Sequence, residues 1–245
     1  MSLILNSGFT IGPGVILDAN PAPPPIAHIS AGLRLHLDAG NTSSYPGSGA
    51  TWTDLVDGKQ FTLYNNPTLY SDFGGYLLFI PSWSQYAEAT SFPATLPNWS
   101  LEAWHYYTGN NSGANPCIIT ENYTGNYINF TLGSLGDPGP QVGHWDGGSF
   151  TPTPPVTALT QNTWYHLVGT YDGSTHNLYI NGTLASTGAA SATCIQSGGG
   201  IRLMNRWDNP EFWGGGLSVV RIYDTTLDLA GVTQNYNADR ARFEL

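Results

Sequence analysis

A carboxylate set between aromatic side chains is the first candidate for chemistry in this sequence. Glu102, Trp104 and Tyr106 occupy alternate positions of residues 99–107, a run whose composition predicts a β-strand. If the residues between them face a core, these three side chains share the opposite face. Aromatic rings stack on the C–H surfaces of a sugar, and a carboxylate accepts from its hydroxyls. The pattern predicts either a carbohydrate-binding face or an ordinary core with a locally hydrogen-bonded Glu102.

Two loop clusters offer a second candidate site. Trp145 and Asp146 end one predicted strand, and Arg206, Trp207 and Asp208 follow another, so both clusters could meet at a rim of loops. A tryptophan flanked by hydrogen-bonding side chains suits carbohydrate binding. Trp and Arg also anchor protein interfaces, so the residue types alone leave both interpretations open.

The elements that must position these residues are organised around residues 164–188. Their apolar and polar side chains alternate, and the alternation breaks at Asp172-Gly173 and at Asn181-Gly182. Both dipeptides tolerate the positive φ of tight hairpin turns, which predicts three antiparallel strands. Further strands are predicted at residues 33–38, 60–64, 76–80, 85–89, 117–122, 127–132, 141–145, 201–205 and 217–223, with Leu33, Leu35 and Leu37 on one face of the first. The fold class predicted is an all-β antiparallel sandwich.

The two ends of the chain differ from this pattern. Near the C-terminus, Asp228 can cap a short helix whose apolar stripe is Leu229, Val232 and Tyr236. At the N-terminus, residues 1–30 contain two short β-like runs and a proline-rich spacer. Such an extended arm suits docking on another molecule, although it could also wrap its own domain. The predicted organisation is an arm at 1–30 and one domain at 31–245.

Three segments carry a resemblance to a known family. They are the 164–188 meander, the entry LDAG with its later WTDL, and the closure RIYDTTLDLAGVTQNYNADR. Together they resemble laminin-G-like domains, which share the jelly roll of the concanavalin A-like lectins and glucanases, over about residues 31–240. The arm is similar to leaders on structural proteins of tailed bacteriophages, particularly those infecting cyanobacteria. The resemblance implies a jelly roll with a final strand followed by a short helix.

Two chemistries of the resembled family can be weighed against this sequence. Its glucanases place catalytic carboxylates two and four residues apart on one strand, whereas Asp54 with Asp57 and Asp208 with Glu211 are three apart and would point to opposite faces. A catalytic pair of carboxylates drawn from two different strands stays possible, but we expect no enzyme.

The family often holds calcium at its rim, to which Asp146 or Asp208 could contribute. The cofactor expectation is therefore none, or a structural calcium ion.

Composition limits the partners. A net charge of −10, with a single lysine, argues against binding to a nucleic-acid backbone. Neither a signal peptide nor a membrane-spanning stretch is recognisable, so we expect no membrane association. The two cysteines, Cys117 and Cys194, could form a disulfide or remain two thiols.

Two functions follow as hypotheses. The first is a non-enzymatic structural protein of a phage particle, a head decoration or tail component on the virion surface, docked on other virion proteins through residues 1–30. The second is a carbohydrate-binding module for cell-surface polysaccharide, such as host glycans; a polysaccharide lyase or hydrolase is the least favoured alternative. A jelly roll with many aromatic and few charged residues is also expected to form a homo-oligomer.

Overall fold

The computed structural model describes residues 26–92, 96–122, 128–134, 139–191, 199–207 and 211–245. Within them the chain forms two antiparallel sheets of eight strands each. The strands are β1 Leu33–Asp38, β2 Thr51–Thr53, β3 Gln60–Tyr64, β4 Thr68–Tyr70, β5 Tyr76–Phe79, β6 Tyr86–Ala89, β7 Trp99–Tyr107, β8 Cys117–Asn122, β9 Ile128–Gly133, β10 Gln141–Trp145, β11 Phe150–Pro152, β12 Thr163–Tyr171, β13 Thr175–Ile180, β14 Thr183–Ala189, β15 Ile201–Leu203 and β16 Gly215–Tyr223. One helix, α1, spans Leu229–Asp239.

The strand order confirms the predicted antiparallel sandwich of jelly-roll type. The first sheet runs β14-β13-β12-β7-β16-β5-β4, and β1 also pairs with β16. The second sheet runs β11-β10-β9-β8-β15-β6-β3-β2. Strands far apart in sequence are neighbours in both sheets, so the fold depends on long-range pairing rather than on hairpins alone.

The core lies between the two sheets and is filled from both by alternate residues. Leu101 and Ala103 of β7 are fully buried in it, together with Leu35 and Leu37 of β1. Trp52, Trp99 and Trp213 are among its largest members. Trp52 belongs to the short strand β2, which is not among the predicted strands, and pairs with Phe61.

The 164–188 meander forms as predicted, as strands β12, β13 and β14. Its two turns contain Gly173 at φ 96°, Asn181 at φ 50° and Gly182 at φ 76°. These left-handed conformations are the reason for the Asp-Gly and Asn-Gly pairs. The short strands β4 and β11 were not predicted, and β15 ends at Leu203 rather than at residue 205 because Met204 adopts a φ of 65°.

Leu33 and Leu229 lie elsewhere than the sequence predicted. The β1–β16 register shifts between Leu33 and Leu35, so Leu33 packs with Val168 and Val232 on the other side of the first sheet. In α1 the buried positions include Val232 and Asn235, whereas Leu229 is 54 % exposed. The predicted apolar stripe was therefore wrong at its first residue, because the inward face of the helix is centred on residues 232, 235 and 236.

The C-terminal segment covers the outer face of the first sheet. Asp228 caps α1 by accepting a hydrogen bond from the Gly231 amide at 2.8 Å, as predicted. Phe243, in the 3-10 turn that follows, stacks on Trp104 with ring centres 4.3 Å apart, and Trp164 packs beside it. No helix among the described residues has the length and apolar character needed to cross a membrane.

Residues 26–30 are hydrogen-bonded to side chains of the same helix. The Ile29 amide donates to Asn235 Oδ1 at 2.7 Å, and Gln234 Nε2 donates to the Ala27 carbonyl at 2.8 Å. The chain therefore enters the domain along α1. Residues 1–25 of the predicted arm lie outside the described part, so the division at residue 30 stays a prediction.

Two histidines in the interior are held in their neutral form. His105 is fully buried; its Nδ1 donates to the Gly216 carbonyl at 2.9 Å, and its Nε2 accepts from the Trp213 indole at 2.8 Å. Burial lowers the pKa of His105 to about 3. The pKa of His176 is also lowered to about 3, mainly by burial and to a smaller extent by the nearby His144. Protonation of His105 would remove its acceptor and break the Trp213 hydrogen bond.

We expect the free energy of unfolding to fall as the pH decreases from about 6.5 towards 3. In this pH window the histidine is protonated in the unfolded chain but stays neutral in the folded protein. Each such histidine therefore adds a slope of about 1.4 kcal/mol per pH unit to the free energy of unfolding. Urea unfolding measured across this range for the wild type and His105→Gln should give a shallower slope in the variant. Equal slopes would show that His105 is not held neutral by the fold.

Candidate carbohydrate-binding surface

Glu102, Trp104 and Tyr106 share one face of β7, as predicted, but the C-terminal segment covers that face. These side chains point away from the inter-sheet core, as the alternation required. Glu102 and Trp104 are nevertheless fully buried, and Tyr106 is half-buried beside Trp164. The cause is the C-terminal segment, whose rings occupy the positions that a bound sugar would take. In this structure Glu102 and Trp104 therefore present no surface to a ligand.

Glu102 instead joins the helix to the sheet. Its Oε1 accepts from Arg221 Nη1 at 2.6 Å and from His166 Nε2 at 3.2 Å, and its Oε2 accepts from Asn235 Nδ2 at 2.6 Å. Arg221 also donates to Asp239 of α1 at 2.8 Å. Burial by itself raises the pKa of Glu102, but the Arg221 charge and the hydrogen bonds from His166 and Asn235 outweigh it and hold the pKa below its ordinary range.

The Trp207 loop lies on the outer face of the second sheet. Arg202 projects from β15 between the inward-facing Ile201 and Leu203, so its side chain lies on that outer face. The Trp207 ring lies over the Arg202 guanidinium at 4.2 Å, and the Tyr86 ring lies 4.8 Å from the same group. The Arg202 guanidinium thus contacts two aromatic rings.

Glu88 and Tyr64 complete this arrangement. Arg202 Nε donates to Glu88 Oε2 at 2.9 Å, and the side chains of Arg202 and Glu88 are 21 % and 10 % exposed. Tyr64 stacks on Tyr86 with ring centres 4.3 Å apart and an angle of 6°. We call the set Tyr64, Tyr86, Glu88, Arg202 and Trp207 the Arg202 face.

Only Trp207 of these five residues was identified from the sequence. The signal for Arg202 was its position between two core residues, and Glu88 is similarly placed between Ala87 and Ala89. What the sequence does not reveal is the pairing of β6 with β15, which sets Arg202 opposite Glu88 across 114 residues.

The other predicted rim residues are placed as follows. Arg206 is half-buried and pairs with Glu211 at 3.3 Å. Trp145 is half-buried at the end of β10, three strands from β15 in the second sheet. Because Val142 and His144 face the core, alternation puts Trp145 on the same outer face as Arg202. Asp208 lies outside the described residues.

Asp146 is used locally in a turn. Its carboxylate accepts from the amides of Ser149 at 2.7 Å and Gly148 at 2.8 Å, and these hydrogen bonds lower its pKa. In the described part of the chain, no cluster of three or more His, Cys, Asp or Glu side chains could hold a metal ion. A calcium site at Asp146 or Asp208 stays a prediction. Cys117 is buried at the start of β8, and Cys194 lies outside the described residues.

A protein-family model agrees with the jelly-roll fold described above. Residues 81–233 match the laminin G model described as the concanavalin A-like lectin/glucanases superfamily. The match covers more than half of the chain, which therefore belongs to this superfamily. The curated proteins contain no sequence that matches it.

Similar solved structures include binding domains of toxins and a domain of a hydrolase. The binding domain of Paraclostridial Mosquitocidal Protein 1 superposes with a TM-score of 0.66 at 13 % identity, over 84 % of this chain and 52 % of that chain. Domain 4 of the arabinanase AbnA from Geobacillus stearothermophilus, solved with arabinotriose, gives 0.65 at 16 % identity, over 84 % and 98 %. The receptor-binding domain of botulinum neurotoxin type G gives 0.61 at 16 %, over 84 % and 51 %.

This chain thus spans about half the length of the toxin binding domains and nearly all of the arabinanase domain. At these identities the likeness shows a shared lectin-like fold.

We expect Glu102→Ala to destabilise the protein by about 3 kcal/mol or more, because it leaves Arg221 buried without its carboxylate. The matched control is Arg34→Ala, which breaks the Arg34–Asp224 pair of an arginine that is 55 % exposed and should cost less than about 1 kcal/mol. Chemical unfolding of both variants measures the difference. Similar losses in the two variants would contradict a structural role for Glu102.

Proposed function

We propose that this protein is a non-catalytic carbohydrate-binding module that holds a polysaccharide on the Arg202 face. The observation that supports the proposal most directly is the stack of Trp207, Arg202 and Tyr86 beside Glu88 on the sheet face that the C-terminal helix does not cover. The lectin-like fold, and the carbohydrate-bound or receptor-binding domains that share it, favour the same conclusion.

The chemistry of this face suits sugar hydroxyls. Aromatic rings offer flat apolar surfaces to pyranose or furanose rings, and Arg202, paired with Glu88, places a donor beside them. Because Arg202 is already neutralised by Glu88, the pair favours neutral hydroxyls over phosphate or sulfate groups. Arg202 Nη2 makes no hydrogen bond to another described residue, so a donor remains for a ligand.

The absence of catalysis is part of the proposal. Glycoside hydrolysis uses two carboxyl groups on either side of the scissile bond. Glu88 is the one carboxylate among the five residues of the Arg202 face, and it accepts a hydrogen bond from Arg202. A reducing-end assay on every polysaccharide that binds should therefore show no release of sugar.

We expect Trp207→Ala to weaken polysaccharide binding about tenfold or more, as for other aromatic anchors. The measurement is affinity electrophoresis of the full chain through gels that contain single neutral or acidic polysaccharides, arabinan included. Leu184→Ala is the matched control, since Leu184 is 48 % exposed on β14 at the edge of the first sheet. Failure of every polysaccharide to retard the wild type would refute the proposal.

A second candidate is attachment of the module to a virus particle, which would put it on a virion surface among other virion proteins and in a homo-oligomer. It is favoured by the arm, and by the hydrogen bonds of Ala27 and Ile29 to α1, which would fix the orientation of anything held through residues 1–25. We expect the full chain to co-sediment with phage particles and a chain starting at residue 26 to remain in the supernatant. Equal co-sedimentation of the two chains with phage particles would contradict a docking role for the arm.

A further inference from the structure

Trp83 is an exposed tryptophan outside the Arg202 face. It is 60 % exposed, the highest value among the large hydrophobic side chains of the described residues. It lies in the 3-10 turn Pro81–Trp83, which joins β5 to β6 and therefore passes from one sheet to the other. A large ring so exposed is not explained by packing.

The turn that carries Trp83 is rigidly built. The amides of Trp83 and Ser84 donate to the carbonyls of Ile80 and Pro81 at 3.0 and 2.9 Å. Gln85, which is 1 % exposed, accepts from the Ile80 amide at 2.8 Å and donates to the carbonyls of Asn65 and Asn66. The backbone around Trp83 is thus fixed before any ligand arrives, which lowers the entropy lost on binding.

A groove of about 390 Å³ begins at the same turn. It is lined by Ile80, Pro81, Ser82, Asn110, Asn111 and Ser112. Its floor is close-packed: Asn111 Oδ1 accepts from the Gly214 amide at 3.0 Å, and a Cβ at Gly214 would come within 2.0 Å of the Asn110 carbonyl oxygen. We call the groove and the adjoining Trp83 the Trp83 groove.

The lining indicates the chemistry of the ligand. Its polar side chains are amides and hydroxyls, and none of the six is charged, which suits a polyhydroxylated neutral molecule. Large contiguous apolar patches mark many protein interfaces. Trp83 instead lies between Ser82 and Ser84, which are both exposed, so its ring is a single flat surface in polar surroundings.

The Trp83 groove and the Arg202 face are joined by a chain of side-chain and backbone contacts. Ser112 of the groove pairs with Phe212 through two hydrogen bonds, at 2.9 and 3.0 Å. The Phe212 ring lies 6.3 Å from the ring of Tyr86, which in turn contacts Arg202. These contacts link the two sites through Phe212, which is 8 % exposed.

We propose that the Trp83 groove is a second carbohydrate subsite, which binds neutral sugar units of the same polysaccharide that occupies the Arg202 face. The inference rests on the proposed function for its class of ligand. The second subsite implies that the ligand is a chain long enough to reach both sites. Longer oligosaccharides should then bind more tightly than short ones, because binding at the Arg202 face raises the effective concentration of the chain at the Trp83 groove.

The test is hydroxyl-radical footprinting of the full chain, read at each tryptophan by mass spectrometry, with each polysaccharide that retards the protein in gels. We expect protection of both Trp83 and Trp207. Trp83→Ala, which removes an exposed ring, and Asn110→Phe, which fills the groove, should each weaken binding about tenfold without loss of stability. Leu229→Ala, another exposed apolar truncation, on α1, should leave binding unchanged.

The outcomes separate the two proposals. Protection of Trp207 alone, with unchanged binding by Trp83→Ala and Asn110→Phe, would overturn the second subsite and leave the proposed function standing. Protection of neither tryptophan by a polysaccharide that retards the protein would overturn both. Equal affinity for short and long oligosaccharides would also refute the second subsite.

Discussion

The ion pair between Glu102 and Arg221 is the interaction on which the arrangement of this molecule depends. Both side chains are buried within the first sheet, on strands β7 and β16, at the centre of its outer face. Two unpaired charges could not remain there, and the hydrogen bonds from Asn235 and to Asp239 are what complete the site. The C-terminal helix is therefore required by the charges beneath it, as well as by the aromatic rings packed beside them.

The two outer faces of the sandwich differ in whether the C-terminal segment covers them. The outer face of the first sheet carries aromatic and polar residues that hold α1 and the Phe243 turn. On the second sheet, Arg202 and its aromatic neighbours are partly exposed above the buried Glu88. The same residue types thus stabilise the fold on one face and, in the proposed function, bind ligand on the other, and what differs is whether the C-terminal segment covers them.

The sequence predicted the elements better than it predicted their surroundings. Alternation placed Leu101 and Glu102 on opposite faces of β7 correctly, and the Asn-Gly and Asp-Gly pairs located the meander, because both signals are local. Alternation does not tell which face is open, so the sequence left two alternatives for Glu102 and Trp104, a carbohydrate-binding face or a packed interior, and in the structure both side chains are buried. The Arg202 face was missed apart from Trp207, because it depends on pairing between strands that are more than a hundred residues apart.

The central claim, that ligand binds the second sheet and not the closed first sheet, is tested most directly by the indole N–H resonances of the tryptophans in a 15N-correlated NMR spectrum. Oligosaccharides of a polysaccharide that retards the protein would be titrated into the full chain, with assignments from single Trp→Phe variants. The account predicts that the Trp207 resonance shifts with saturation while those of Trp104 and Trp164 stay in place. Saturable shifts at Trp104 or Trp164 with an unmoved Trp207 would contradict it.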